Sequence, residues 1–191
     1  RLDDSRLEAA DLRVGRSAAV RSAPMTQELW TQVDRYLTDL LIPEDTVLEE
    51  ALRRSEEAGL PSIQVSANQG KLLNLIARTQ GAKRILEVGT LAGYSTIWLA
   101  RALPDGGELV TLELSQKHAD VARSNFELAG LCDVIDLRVG RASETLAALA
   151  AEDREPFDFI FIDADKPSTT EYFQQAIELS RLGTLIVVDN V

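Results

Sequence analysis

Four short apolar runs in this 191-residue chain have the character of β-strands, and each of them ends on a carboxylate. Helical segments separate the runs, a pattern typical of βαβ units and a parallel sheet. The carboxyl ends of parallel strands meet at one edge, where open α/β folds bind ligands, so we expect the four acids to share an active site. Acids after strands can also cap the next helix, which would explain one or two of the four. The runs are Ile85 to Glu87, Leu109 to Glu113, Phe157 to Asp163 and Leu185 to Asp189.

The alternation of apolar runs and helical segments after Gly81 predicts a doubly wound, mostly parallel sheet of the α/β class. Before it, apolar spacing predicts one helix over 26–41 and a second from Pro43 to about Gly59. A capping-box pair, Ser66 and Gln69, predicts the start of a third. The strands are expected near 83–88, 108–113, 134–139, 157–163 and 184–189, and the later helices near 94–103, 116–129, 142–151 and 169–181.

The length predicts a single domain over 25–191, with 81–191 as its cofactor- and metal-binding core. Residues 1–24 are an extension of uncertain role, and Met25 could be the natural start. No apolar run approaches the ~20 residues that span a bilayer, and no secretory signal is evident, so we expect a soluble, cytoplasmic protein without a membrane partner. A formal net charge of -11 opposes binding to nucleic acid. The single cysteine, Cys132, excludes an internal disulfide and is expected to pack as a small apolar residue.

A glycine-containing turn, Gly89 to Gly93, follows the first strand and precedes a helix. Leu91 stands where a dinucleotide-binding fingerprint has its second glycine, which disfavours NAD and FAD. A cofactor without phosphates fits better. Glu113 ends the second strand, where an acid accepts hydrogen bonds from ribose hydroxyls, and Glu87 could face a cationic amino-acid group. An adenosine next to a positive charge points to S-adenosylmethionine.

Hard oxygen donors end the fourth and fifth strands: Asp163, Asp189 and Asn190. Such donors suit Mg²⁺, or Mn²⁺ or Ca²⁺, better than zinc, although Asn190 could instead be a turn residue. Lys166 is expected to lean over this site, because it follows Asp163 by three residues in the loop before a helix that Ser168 and Glu171 should cap. Repulsion from a bound cation favours its neutral amine, which can accept a proton. The alternative is a surface lysine paired with an acid, and the only histidine, His118, is expected to be a surface residue.

Three segments together resemble the cation-dependent O-methyltransferases of the catechol and caffeoyl-CoA type: Ile85 to Ala100, Phe161 to Lys166, and Val187 to Val191. The likeness runs from about Met25 to the last residue. It implies a Rossmann-like methyltransferase fold, methylation of one hydroxyl of a vicinal dihydroxy aromatic substrate, and a homodimer. The family also has a closing hairpin after the fifth strand, which is apparently absent from this chain.

The resemblance also implies a role for each site residue. Lys166 is the general base, and Asp163, Asp189 and Asn190 hold the divalent cation. Val65 falls where the family often has threonine, so only a backbone contact to the cofactor is expected there. Glu113 contacts the ribose, and Ala142, beside Arg141, lies near the adenine. Further cofactor contacts are expected from Glu87, Gly89, Thr90, Ser95 and Asp165.

Two other functions stay open at this point. One is a nicotinamide-dependent oxidoreductase on a similar fold, which Leu91 disfavours. The other is a non-catalytic module that binds S-adenosylmethionine. Binding of S-adenosylmethionine rather than NAD would separate the methyltransferase from the oxidoreductase, and turnover on a catechol would separate it from the module.

Overall fold

The computed structural model of the protein describes residues 26–190. The expectations for residues 1–24, Met25 and Val191 lie outside this range. Five parallel strands form one sheet in the order β3-β2-β1-β4-β5, which confirms the doubly wound α/β class. The strands are β1 (Arg84–Val88), β2 (Glu108–Glu113), β3 (Ile135–Val139), β4 (Phe157–Ile162) and β5 (Ser180–Val188).

Three helices precede the sheet and four connect its strands, as the alternation of patterns predicts. The first three are α1 (Gln27–Leu41), α2 (Thr46–Glu57) and α3 (Ala67–Gln80). The connecting helices are α4 (Tyr94–Ala100), α5 (Gln116–Ala129), α6 (Ala142–Ala151) and α7 (Thr169–Glu178), the last preceded by a short 3₁₀ turn, Lys166–Ser168. Within residues 26–190, none of the helices combines the length and the apolar character that crossing a membrane requires.

Side-chain caps decide where the first helices begin. The capping box before α3 is confirmed, because Ser66 Oγ accepts from the Gln69 N–H while Gln69 Oε1 accepts from the Ser66 N–H. The predicted start of α2 at Pro43 is wrong. Asp45 caps this helix instead, with one carboxylate oxygen accepting from the N–H groups of Val47 and Leu48, each at 3.1 Å.

The largest departure from the predicted elements lies between α7 and β5. The helix ends at Glu178 instead of 181, and the strand begins at Ser180 instead of 184. Ser180 pairs with Phe157 but Leu185 pairs with Phe159, so β5 holds extra residues at its start. The Arg181 N–H donates to Thr184 Oγ1 at 2.9 Å, which closes this bulged segment.

Alternating residues of the strands contribute side chains to two apolar cores, one on each face of the sheet. Ile85 and Phe159 face the side covered by α2 to α5. Leu86 and Ile160 face the side covered by α6 and α7. Helices on both faces leave the carboxyl ends of the strands as the edge available for a site. Cys132 belongs to neither core and is exposed, so its expected packing role is wrong.

Candidate active site

The main chains of β1 and β4 meet where the strand order changes direction, which is where open α/β sheets bind ligands. The Asp163 N–H donates to the Val88 carbonyl at 2.9 Å. Gly89 follows with φ 102°, and a Cβ placed there would lie 2.0 Å from the Asp163 carbonyl oxygen. Only glycine fits this position, because both the backbone angle and the close approach exclude a side chain.

The turn after Gly89 is held by β2 and α5. Leu91 has φ 50°, and its N–H donates to Glu113 Oε2 at 2.8 Å. Asn125 Nδ2 donates to the Ala92 carbonyl at 2.9 Å. A Cβ at Gly93 would lie 2.3 Å from the Phe126 ring. The turn carries no Lys or Arg that could neutralise a phosphate, which fits a cofactor without a pyrophosphate.

Glu87 lies just below this turn and is fully buried. Its carboxylate accepts from Ser95 Oγ at 2.6 Å, Thr96 Oγ1 at 2.5 Å and Thr111 Oγ1 at 2.6 Å. The pKa of Glu87 is raised to about 7. Burial is the main cause, the charge of Asp163 adds to the rise, and the hydrogen bonds from these hydroxyls oppose it. A positive group near Glu87 would favour the charged form of this carboxyl group. The amino-acid part of S-adenosylmethionine carries such a group.

Glu113 ends β2 with its carboxylate buried against the glycine turn. Besides the Leu91 N–H, it accepts from the Ser115 N–H at 2.9 Å. His118 Nδ1 lies 3.2 Å from Glu113 Oε1. His118 is therefore a partly buried neighbour of the predicted ribose-binding acid, which corrects the expectation that it is a surface residue.

Asp163 and Asp189 follow β4 and β5 directly, and these strands are neighbours in the sheet. The Asp189 N–H donates to the Ile162 carbonyl at 3.0 Å, which brings the two strand ends together. Burial raises the pKa of Asp163, and the like charge of Asp189 raises it further, a repulsion that a divalent cation would remove. Asn190, at φ 57°, donates through its amide to Asp189. The three predicted ligands thus lie together, and their hard oxygens fit a cation such as Mg²⁺.

Lys166 reaches over this pair of acids. Its Nζ donates to the Asp189 carbonyl at 3.0 Å and lies 3.7 Å from Asp163 Oδ1. Both the role as a base and the alternative of a lysine paired with an acid are compatible with this position. Over residues 26–190 no group of three His, Cys, Asp or Glu side chains is arranged to hold a metal, and the candidate set consists of two carboxylates and one amide.

Asp165 faces groups of its own loop and of α7. It accepts from Ser168 Oγ at 2.5 Å and from the Tyr172 hydroxyl at 2.7 Å, and these two bonds lower its pKa. Ser168 precedes α7 but makes no side-chain cap, so the predicted capping pair of Ser168 and Glu171 is wrong. The carboxylate of Asp165 competes for that hydroxyl. A cofactor contact from Asp165 stays a prediction.

The remaining predicted cofactor residues, Val65 and Ala142, pack mainly against apolar side chains. Val65 is buried in the core beneath α3, and Ala142 begins α6 and packs against the opposite core. Arg141 is largely exposed and lies 3.5 Å from Glu144. Contacts of Val65 and Ala142 with the cofactor stay predictions.

Sequence patterns missed Thr96, Thr111 and His118 as parts of the site. Thr111 lies directly opposite Glu87 in the register of β1 and β2. That pairing depends on the register between two strands that are distant in the sequence, so no local motif indicates it. The hydroxyls of Ser95 and Thr96 follow Glu87 by eight and nine residues, and this spacing could have indicated the contact. After a tight turn, the first residues of a helix lie close to the end of the preceding strand.

Comparison with known proteins agrees with this geometry. The sequence model of the O-methyltransferase family matches residues 39–191. A catechol O-methyltransferase of Niastella koreensis is 56% identical over 167 residues, 87% of this chain and 76% of that protein. A catechol O-methyltransferase of Mycobacterium tuberculosis is 51% identical over 159 residues, 83% of this chain and 71% of that protein. The crystal structure of the O-methyltransferase from Bacillus cereus in complex with SAH is 56% identical with a TM-score of 0.84, covering 85% of this chain and 74% of that one.

The parallel sheet, the glycine turn after β1 and the acid that ends β2 define a Rossmann-like enzyme of the S-adenosylmethionine-dependent methyltransferase class. Within this class, the match over residues 39–191 and the relatives above indicate an O-methyltransferase. The chain belongs to the O-methyltransferase family, of the catechol and caffeoyl-CoA type. This membership removes the nicotinamide-dependent oxidoreductase from consideration.

Proposed function

We propose that this enzyme requires a divalent cation and methylates one hydroxyl of a vicinal dihydroxy, catechol-like aromatic substrate. The observation that carries the proposal is the group formed by Asp163, Asp189 and Asn190 beside Lys166, next to the glycine turn. Two relatives that are more than half identical bear the name catechol O-methyltransferase, which supports the substrate class.

The cofactor would lie across the turn between β1 and β2. We propose that Glu87 faces its cationic amino-acid part and Glu113 its ribose hydroxyls. Gly89 lets the Asp163 carbonyl approach the turn closely, and we propose that Gly89, Thr90 and Ser95 contact the cofactor. Ala142, Val65 and Asp165 complete the proposed contacts, Val65 through its backbone.

The chain's own groups would hold the substrate and move its proton. A divalent cation bound by the three oxygen donors would orient two neighbouring substrate oxygens and acidify one hydroxyl. Lys166 Nζ, which lies beside Asp163 and Asp189, would accept the proton as a neutral amine while the hydroxyl oxygen attacks the methyl carbon. The bond between that carbon and the cofactor's sulfur breaks, and S-adenosylhomocysteine leaves. Positioning of the reactants can supply roughly 7 to 11 kcal/mol of the barrier reduction.

Metal removal tests the proposal. Turnover of catechol, followed as methylated product by mass spectrometry, should stop in excess EDTA and return with Mg²⁺ or Mn²⁺. A phenol with one hydroxyl should react far more slowly than catechol, because it offers the cation a single oxygen. Asp189→Ala should lose metal binding and turnover but keep its affinity for S-adenosylmethionine, and Asp153→Ala, an exposed control, should behave like the wild type.

Two results would contradict the proposal. Full turnover by a preparation shown by elemental analysis to be metal-free would leave a cation-independent methyltransferase. Binding of S-adenosylmethionine without turnover of any catechol tested, with Mg²⁺ present, would instead favour a non-catalytic binding module.

A further inference from the structure

Four hydroxyl groups form one connected array around the carboxylate of Glu87. Ser95 donates to one carboxylate oxygen, and Thr96 and Thr111 donate to the other. Thr90 lies behind them, with its Oγ1 2.6 Å from Thr111 Oγ1. Thr96 and Thr111 are fully buried, so water does not compete for these bonds.

When Glu87 is ionised, the number of protons fixes the direction of every bond in this array. Each hydroxyl carries one proton. Thr111 gives its proton to Glu87, so Thr90 has to be the donor in the bond between the two threonines. Three protons then point at Glu87, an arrangement that suits a charged carboxylate. A protonated Glu87 would itself have to donate, so one of the three hydroxyls would have to turn its proton away from the carboxyl group.

We propose that Thr96 and Thr111, with Thr90 behind them, are positioning residues that hold Glu87 as a carboxylate beneath the glycine turn, where its negative charge attracts the cationic amino-acid part of S-adenosylmethionine. The inference rests on the proposed placement of the cofactor beside Glu87. Thr111 holds the acid from the neighbouring strand and Thr96 from the start of α4, so the carboxylate is fixed from two sides. Neither threonine needs to touch the cofactor itself.

The charge of Glu87 should change with pH close to neutrality. Burial raises its pKa to about 7, and the three hydroxyls limit that rise. Asp163, from the end of β4, adds a like charge, whereas α4 and β2 contribute uncharged hydroxyls. A cationic ligand prefers the charged form of Glu87, so affinity for S-adenosylmethionine should fall as the pH drops below about 7. Removing one hydroxyl should raise this midpoint.

Titration calorimetry with S-adenosylmethionine between pH 6 and pH 8.5, in EDTA, tests the role. Thr111→Val removes one proton donor at nearly constant volume, and a shift of about one pH unit would weaken binding about tenfold at pH 6. At pH 8.5 both proteins carry a charged Glu87, so the difference should shrink to about twofold or less. The ligand's own titration cancels in the ratio of the two affinities.

Three further variants separate positioning from general damage. Thr111→Ser keeps the hydroxyl and should follow the wild type, while Thr96→Val repeats the test from a different element if Thr111→Val does not fold. Thr79→Val removes a hydroxyl bonded to the Leu75 carbonyl on α3, away from the site, and should leave binding unchanged.

A ratio of affinities that stays constant with pH would overturn the positioning role, as would a Thr111→Ser variant as weak as Thr111→Val. Failure of the wild type to bind S-adenosylmethionine would overturn the proposed cofactor site as well. Normal wild-type binding with a flat ratio would remove this inference alone.

Discussion

Three carboxylates of the candidate site have different surroundings, and these surroundings suit them to different tasks. Glu87 is enclosed by hydroxyls, Glu113 accepts from backbone N–H groups, and Asp163 faces the like charge of Asp189. Under the proposed function, the charge of Glu87 attracts the cationic part of the cofactor, Glu113 accepts from the ribose hydroxyls, and Asp163 binds the metal ion. One functional group, the carboxylate, can serve all three because its neighbours decide its charge and its free lone pairs.

Replacement of Glu113 should weaken cofactor binding. Glu113→Ala is expected to lower the affinity for S-adenosylmethionine by about 1.5 to 3 kcal/mol, the usual range for lost hydrogen bonds to a charged group. Glu113→Gln keeps an acceptor for the Leu91 N–H and so separates support of the turn from the charge itself. Calorimetric titration measures both variants, with exposed Glu127→Ala as the control. Wild-type affinity in a folded Glu113→Ala variant would remove this residue from the site.

Replacement of Lys166 should lower the rate without loosening the cofactor. Lys166→Met is expected to reduce kcat at least tenfold, about 1.4 kcal/mol, because its amine is needed only while the proton moves. The dissociation constant of S-adenosylmethionine should stay close to that of the wild type. Steady-state kinetics on catechol and a binding titration test this, with exposed Lys117→Met alongside. Equal kcat across the pH range would assign the proton transfer to another group.

At the scale of elements, the sequence predicts features that depend on residues close together in the chain. It misses features that depend on which strands pair and in which register. The five strands and the capping box before α3 follow from apolar runs and from Ser66 with Gln69. The start of β5 was missed because residues 180–183 carry no apolar run, and they lie in the strand only through the shifted pairing with β4. The proximity of Asp163, Asp189 and Asn190 was foreseeable, since all three directly follow the carboxyl ends of strands that were expected to be adjacent. The contact of Thr111 with Glu87 was not, because it depends on which strands are neighbours.

Asp158 joins three elements at the opposite edge of the sheet. Its carboxylate accepts from the backbone N–H groups of Lys83 and Arg84 and pairs with Arg181, at the start of β5. Burial on its own raises the pKa of Asp158, but these partners outweigh it and hold the pKa below its ordinary value. Asp158→Asn should therefore cost about 1 to 3 kcal/mol of stability at pH 7.

The sign of the pH dependence follows from that lowered pKa. The contribution of Asp158 is fully present above the unfolded-state value of 3.8 and is lost as the pH falls towards the lower folded-state value. Urea unfolding should show the gap between wild type and Asp158→Asn unchanged from pH 7 to about pH 5 and narrowing below about pH 4. Exposed Asp153→Asn is the control. A gap that already closes between pH 7 and pH 5 would contradict this account.

At the scale of the whole molecule, the sheet and the first helix differ in how firmly they are held. The strands β1 and β4 are almost completely buried, whereas α1 has no buried residue. Apolar side chains lie along α1 with more than half of their surface exposed, and such a surface suits contact with another molecule. They are Trp30, Tyr36, Leu40 and Leu41. We propose a second copy of the chain as the partner.

A homodimer through α1 makes amide exchange depend on concentration. Amides of α1 should exchange quickly in dilute protein and slow down as the concentration rises, while those of β1 and β4 stay protected throughout. Hydrogen exchange by mass spectrometry, with sedimentation to follow the mass, measures both effects. Trp30→Ser with Leu40→Ser should abolish the slowing in α1. A dimer that forms while α1 stays unprotected would place the interface elsewhere.

The contact between Gly89 and the Asp163 carbonyl has a consequence for how accurately the two halves of the site are aligned. Under the proposed function, one chain segment carries the methyl donor and the other carries the ligands of the ion that holds the acceptor. Their separation is set by main-chain atoms in direct contact, so no change of side-chain rotamer can lengthen it. The spacing of these two segments is then fixed by the packing of one backbone on the other, and a single added methyl group at residue 89 would force the segments apart.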